Sequence, residues 1–149
     1  MNTSSEPVVR RRVIIADDSA MISEKVRLLL EPAFDVVAAV SDGIELLEAV
    51  PTFLPEIGVI DISMPRMSGI EAIRHLKSHG SEMVVIFLTV NEDPDFVQAA
   101  FESGATAYVL KPRMVIDLLP AIRRALNGQT FVSPCAVFAE IAMPQYTDE

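Results

Sequence analysis

The feature that most restricts the fold is an alternation along the chain. Short apolar runs rich in β-branched residues, at 13–16, 36–40, 57–60, 83–89 and 107–110, are separated by longer stretches of helical periodicity. Several runs are apolar throughout rather than at every second residue, which suits strands buried on both faces of a parallel sheet. Over 19–30, Ile22, Val26 and Leu29 fall at helical spacing, with Glu24, Lys25 and Arg27 elsewhere on the wheel. The stretch 43–50 is short and is expected to end at Pro51. A third helix is expected over 68–79, with Gly80 just past its end. Asp93 before Pro94 reads as an N-cap followed by a first-position proline, in a helix ending near Gly104. The last helix carries Leu118, Ile122 and Leu126 on one stripe. Its start is expected within 115–117, which puts Pro120 in the first turn, where a proline removes no helical hydrogen bond.

Five β–α units joined by short connections imply the α/β class and a three-layer α/β/α sandwich. The expected sheet is parallel, flavodoxin-like, with right-handed crossovers and strand order 2-1-3-4-5. The domain reading is a flexible N-terminal tail at 1–9, one domain at 10–128, and a C-terminal tail or linker at 129–149. The partly apolar piece 131–142 is expected to be a linker helix that docks or dimerises.

Half of the 149 residues are hydrophobic, enough for a full core without staples. The single cysteine, Cys135, permits no internal disulfide and fits a reducing compartment. Residues 1–9 lack the apolar stretch of a signal peptide, and the apolar runs are far too short to span a bilayer. A cytoplasmic chain with no membrane contact is the expectation. The formal net charge of −9 repels a phosphate backbone, which argues against direct nucleic-acid binding. The basic run at 10–12 reads as a solvated edge, and His75 and His79 as solvated surface residues.

Ligands of open α/β sheets bind outside the carboxyl ends of the strands. Asp17 and Asp18 follow the first run, Asp61 the third, Thr89 closes the fourth and Lys111 follows the fifth. In the expected order these strands are neighbours, so three carboxylates, a hydroxyl and an ammonium converge on one edge. Each residue alone has an ordinary explanation, as turn, cap, strand end or surface lysine. At four successive strand ends they form a pattern. Converging carboxylates repel one another unless a cation compensates, and Mg²⁺ favours oxygen ligands of this kind. Such a set can orient an aspartate nucleophile and stabilise charge in phosphoryl transfer.

These residues sit in recognisable wording. Ile14-Ile15-Ala16-Asp17-Asp18-Ser19, the stretch from Asp61-Ile62-Ser63-Met64-Pro65 to Gly69-Ile70-Glu71, and Tyr108-Val109-Leu110-Lys111-Pro112 together resemble the receiver domain of two-component response regulators. The resemblance covers about 13–126. It implies that Asp61 is the phosphoacceptor, that Asp17, Asp18, Asp61 and the Ser63 backbone carbonyl hold Mg²⁺ (or Mn²⁺), and that Lys111 pairs with Asp61 or its phosphate. It further implies that Thr89 binds the phosphoryl group and that Tyr108 is an aromatic switch turning inward when Thr89 moves. The implied donor is a phosphohistidine on a sensor histidine kinase or phosphotransfer protein. The implied output surface is the face of the fourth helix, fifth strand and fifth helix, a possible homodimer contact.

The ending from Leu126-Asn127-Gly128 to Ser133-Pro134 resembles LuxR/FixJ-type transcription regulators, which carry a C-terminal helix-turn-helix domain. The expectation is therefore a phosphoacceptor rather than an enzyme, controlling transcription through a domain outside this sequence. A stand-alone receiver acting by protein contacts is the alternative. A Mg-dependent phosphohydrolase is remote, because Ser63 stands where its second aspartate would be. One departure concerns Val90, where the family usually has a small residue. It is expected to narrow access to Asp61 and to slow both phosphorylation by small donors and hydrolysis.

Overall fold

The computed structural model describes residues 10–134. The expected tail at 1–9 and Cys135 lie outside the described residues. Five strands alternate with five helices: β1 (Arg12–Ala16), α1 (Ala20–Leu30), β2 (Asp35–Val40), α2 (Gly43–Phe53), β3 (Ile57–Ile60), α3 (Gly69–Ser78), β4 (Val84–Thr89), α4 (Pro94–Ser103), β5 (Ala107–Leu110) and α5 (Met114–Leu126). A short β6 (Phe131–Val132) follows. The sheet is parallel throughout, in the order β2-β1-β3-β4-β5-β6. The expected order 2-1-3-4-5 holds, with β6 added outside β5.

Alternate residues of each central strand feed two separate cores. Val13 and Ile15 of β1, Ile57 and Val59 of β3, and Ile86 and Leu88 of β4 pack with Val26 and Leu30 of α1 and with Leu118 and Ile122 of α5. Ile14, Ile60, Val85 and Phe87 face the other way, onto Leu46 of α2, Ile73 of α3 and Val97 of α4. Burial on both sides explains why these strands read as unbroken apolar runs. Each such side chain contributes about 1.5–3 kcal/mol through burial.

Both proline readings need correction. Pro51 does not end α2, which continues to Phe53. The proline forfeits a single bond near the end of the helix, the Leu54 N–H still reaches the Val50 carbonyl at 2.9 Å, and Leu54 then stops the helix in the left-handed region at φ 51°. Helix α5 begins at Met114, after a turn of 3-10 helix over Lys111–Arg113, so Pro120 lies inside it and not in its first turn. The missing bond falls on the carbonyl of Ile116, whose residue is exposed and open to water. The expected helix from residue 131 is also corrected. Phe131 and Val132 are extended and pair with Ala107 and Tyr108. The rest of that piece, from 135, lies outside the described residues.

Candidate functional site

Sheet register brings the expected residues together. Ala16 of β1 lies beside Ile60 of β3, so Asp17 and Asp61 leave the sheet side by side, and the Asp61 N–H donates to the Ala16 carbonyl at 2.8 Å. Thr89 pairs with Leu110, so Lys111 follows next to it. Carboxylate oxygens of Asp17, Asp18 and Asp61 all lie within 4.8 Å of one another. Asp17 and Asp61 are buried while Asp18 is exposed. The Lys111 Nζ reaches Asp17 Oδ2 at 2.8 Å and Asp61 Oδ2 at 3.2 Å.

Each side chain is held locally. The Ser19 N–H donates to Asp17 Oδ1 at 2.8 Å, and the Ser19 Oγ in turn caps α1 by accepting from the Ile22 N–H. Asp61 sits against the start of α3, where Gly69 allows an approach no other residue would. A Cβ there would lie 2.1 Å from the Asp61 carbonyl oxygen. The Gly69 N–H closes the intervening loop by donating to the Ile62 carbonyl at 2.8 Å.

The electrostatics favour a cation. Burial pushes the Asp61 carboxyl above its ordinary pKa, the Asp17 charge pushes the same way, and Lys111 and the Ser63 N–H pull against them. Burial works against the Lys111 ammonium, but its contacts with Asp17 and Asp61 prevail and raise its pKa. One ammonium among three carboxylates leaves net negative charge in a partly buried, all-oxygen donor set. That chemistry fits a hard divalent cation.

Thr89, 1 % exposed, accepts from the Asn91 N–H at 3.2 Å through Oγ1, which leaves its own hydrogen free to donate. Tyr108 is fully buried and points inward, its hydroxyl donating to the Asn91 carbonyl at 2.8 Å. Asn91 therefore joins the hydroxyl and the ring, a part the sequence did not assign to it. His75 and His79 lie exposed on the far end of α3, with ring centroids 4.4 Å apart.

A family model described as the response regulator receiver domain matches residues 13–123. The chain belongs to this family. The receiver is 35 % identical over 126 residues to the transcriptional regulatory protein PdtaR of Mycobacterium tuberculosis, covering 84 % of this chain and 61 % of that protein. It is 31 % identical to the transcriptional regulatory protein DegU of Brevibacillus brevis, over 83 % of this chain and 53 % of the other. The receiver thus spans about half to three fifths of these curated relatives. Among solved structures, a LuxR-family two-component response regulator from Aurantimonas sp. SI85-9A1 superposes with a TM-score of 0.79 at 32 % identity, covering 85 % of this chain and 91 % of that one. The isolated receiver of RcsB from Salmonella enterica, solved with the phosphomimetic BeF₃⁻, gives 0.77 at 28 % identity, over 84 % and 94 %. The family is one of signalling receivers and not a catalytic one. Among the described residues, no helix is long and apolar enough to cross a membrane.

Sequence reasoning missed two polar groups that tie together segments flanking Asp61 and Lys111. Arg66 bonds Asp42 through two nitrogens, at 3.0 and 3.3 Å, which ties the loop after Asp61 to the start of α2. Ser133, Asp117 and Arg113 form a second group at the base of β6. The spacing of Arg113 and Asp117 by four residues was a readable sign of the latter pair. Ser133 gave no such sign, since only the sheet brings it to Asp117.

Proposed function

We propose that Asp61 accepts a phosphoryl group from a phosphohistidine on a sensor histidine kinase or phosphotransfer protein. A carboxylate oxygen of Asp61 forms the new P–O bond as the P–N bond to the imidazole breaks, and the nitrogen leaves with the electron pair. The observation that carries this reading is the convergence of Asp17, Asp18 and the Lys111 ammonium on the Asp61 carboxylate. Lys111 and the Ser63 N–H favour the ionised form that attacks. Asp17, Asp18, Asp61 and the Ser63 carbonyl would hold Mg²⁺ or Mn²⁺, which supplies charge neutralisation at the phosphoryl oxygens. Thr89 donates to the product phosphate, and Lys111 pairs with it.

The new group carries close to two negative charges. Two or three charge-assisted hydrogen bonds, each about 1.5–3 kcal/mol, match the roughly 5.5 kcal/mol needed to move a two-state element from 1 % to 99 % occupancy. Asn91 is placed to relay that change, since it already touches both Thr89 and Tyr108. The output is a contact face of α4, β5 and α5, bordered here by β6, through which copies of the chain pair. Control of transcription, the role in the names of PdtaR and DegU, is the proposed consequence.

The test is intact mass after incubation with acetyl phosphate and Mg²⁺, beside Asp61→Asn. The expected result is a gain of about 80 Da that requires Mg²⁺ and is absent in the variant. A gain that persists in Asp61→Asn would overturn the assignment.

A further inference from the structure

Lys111 carries its charge on a flexible four-carbon stem, so where its ammonium sits depends on the backbone at its base. That backbone is fixed on both sides by one polar circuit. Before Lys111, the Leu110 N–H donates to Ser133 Oγ at 3.0 Å. After it, Arg113 donates to Asp117 through Nε and Nη2, at 2.7 and 3.2 Å. The Ser133 hydroxyl closes the circuit by donating to Asp117 Oδ2 at 2.8 Å. Lys111 and Pro112 are held inside it.

The circuit has little freedom. Ser133 is fully buried and Asp117 is 5 % exposed, so a broken contact leaves a polar group without water. The hydroxyl has one hydrogen, given to Asp117, and its lone pair takes the Leu110 N–H. The Ser133 N–H is committed as well, to the Tyr108 carbonyl at 2.9 Å. No capping duty explains this serine, because α5 begins without a side-chain cap.

We infer that Ser133 is a positioning residue for Lys111, and that through it β6 is tied to the phosphoacceptor site. The inference rests on the reading of Asp61 and Lys111 given above. Such coupling is reciprocal. A shift of Lys111 on phosphorylation is felt at Ser133, and a shift of Ser133 with β6 is felt at Lys111.

The experiment is a double-mutant cycle on the full chain, at a temperature where every variant is folded by circular dichroism. The rate of phosphoryl uptake from acetyl phosphate with Mg²⁺ is measured in wild type, Ser133→Ala, Lys111→Ala and the double variant. Ser133→Ala is expected to slow uptake about tenfold in the wild-type background, or about 1.4 kcal/mol, and to have no further effect when Lys111 is alanine. Asp117→Asn, which keeps an acceptor for the hydroxyl, should act in the same direction but less. Equal slowing in both backgrounds, or a lower melting temperature at an unchanged rate, would overturn the inference. A second readout needs no phosphorylation: the ¹⁵N NMR signal of the Lys111 ammonium should be protected from exchange in wild type and lost in Ser133→Ala. An unchanged signal in the variant sinks the inference. Absence of phosphoryl uptake in the wild type instead refutes the reading of Asp61 and leaves this signal to decide on Ser133.

Discussion

Val90 directly follows Thr89 at the end of β4 and is 69 % exposed, while Asp61 is only 5 % exposed. The sequence expectation is that a donor small enough to bring no docking energy of its own meets this side chain on its way to the carboxylate. Val90→Ala is therefore expected to raise the rate of phosphorylation by acetyl phosphate several-fold, and to shorten the lifetime of the phosphoryl group as well, because water uses the same route. Both rates follow from a time course of intact mass. Equal rates in the two proteins would show that Val90 leans away from the path. At this scale most of the site was legible. Asp17, Asp61 and Lys111 each stand directly after a strand, and strand ends can be read from where apolar runs stop. The contact of Asn91 with Tyr108, and those of Ser133 with Leu110 and Asp117, were not legible, because they form across the fold.

Among the elements, the loop between β3 and α3 is the one whose shape the site depends on. Arg66 within it sits in the left-handed region at φ 68°, a conformation that costs a non-glycine residue about 1–2 kcal/mol. Its guanidinium reaches back to Asp42, the N-cap of α2. The Asp42 carboxyl is held below its ordinary pKa, first by the Glu45 N–H and then by Arg66. Next to it Gly43 lets the Met67 carbonyl approach so closely that a Cβ would lie 2.4 Å away. Asp42→Asn keeps a good N-cap and breaks only the ion pair. The expected loss of stability by urea unfolding is small, because the Arg66 side chain is largely exposed and solvent screens the pair. Mg²⁺ affinity by calorimetry should fall several-fold, because the Ser63 carbonyl rides on the same loop. An unchanged affinity would mean that the backbone bonds hold the loop unaided. Elements were legible to the extent that they carry a period. β3 and β5 match the sequence reading to the residue, since each is a closed apolar run. The ends of α2 and α5 did not match, because a proline marks a local cost, and packing along the rest of each helix outweighs it. β6 was invisible, since two residues carry no period at all.

For the molecule as a whole, the site is a burden on the fold when no cation compensates it. The folded Asp61 carboxyl titrates above its unfolded value because burial and Asp17 disfavour its charge. The protonated group is thus tolerated at low pH, and that tolerance is lost as pH rises through the folded pKa. Without Mg²⁺ at pH 7, Asp61→Asn should be more stable than wild type by about 1 kcal/mol, or roughly 3–4 °C in Tm. The gap should shrink as pH falls through the raised folded pKa toward the ordinary carboxylate value. Saturating Mg²⁺ should reverse the order, since a cation at 100 times its Kd adds about 2.7 kcal/mol and the variant lacks one ligand. Calorimetric scans at pH 7 and pH 4, with and without the metal, check this. A variant less stable than wild type at pH 7 without Mg²⁺ would contradict it.

The short sixth strand also changes how the molecule meets its neighbours. β5 is buried and apolar over Ala107–Leu110, and without β6 its backbone donors and acceptors would line an open border. An open apolar border is a template on which any passing extended chain can add itself, the first step toward clumping. Two residues and a serine occupy that border and leave only a stub in its place, too short to recruit a stranger.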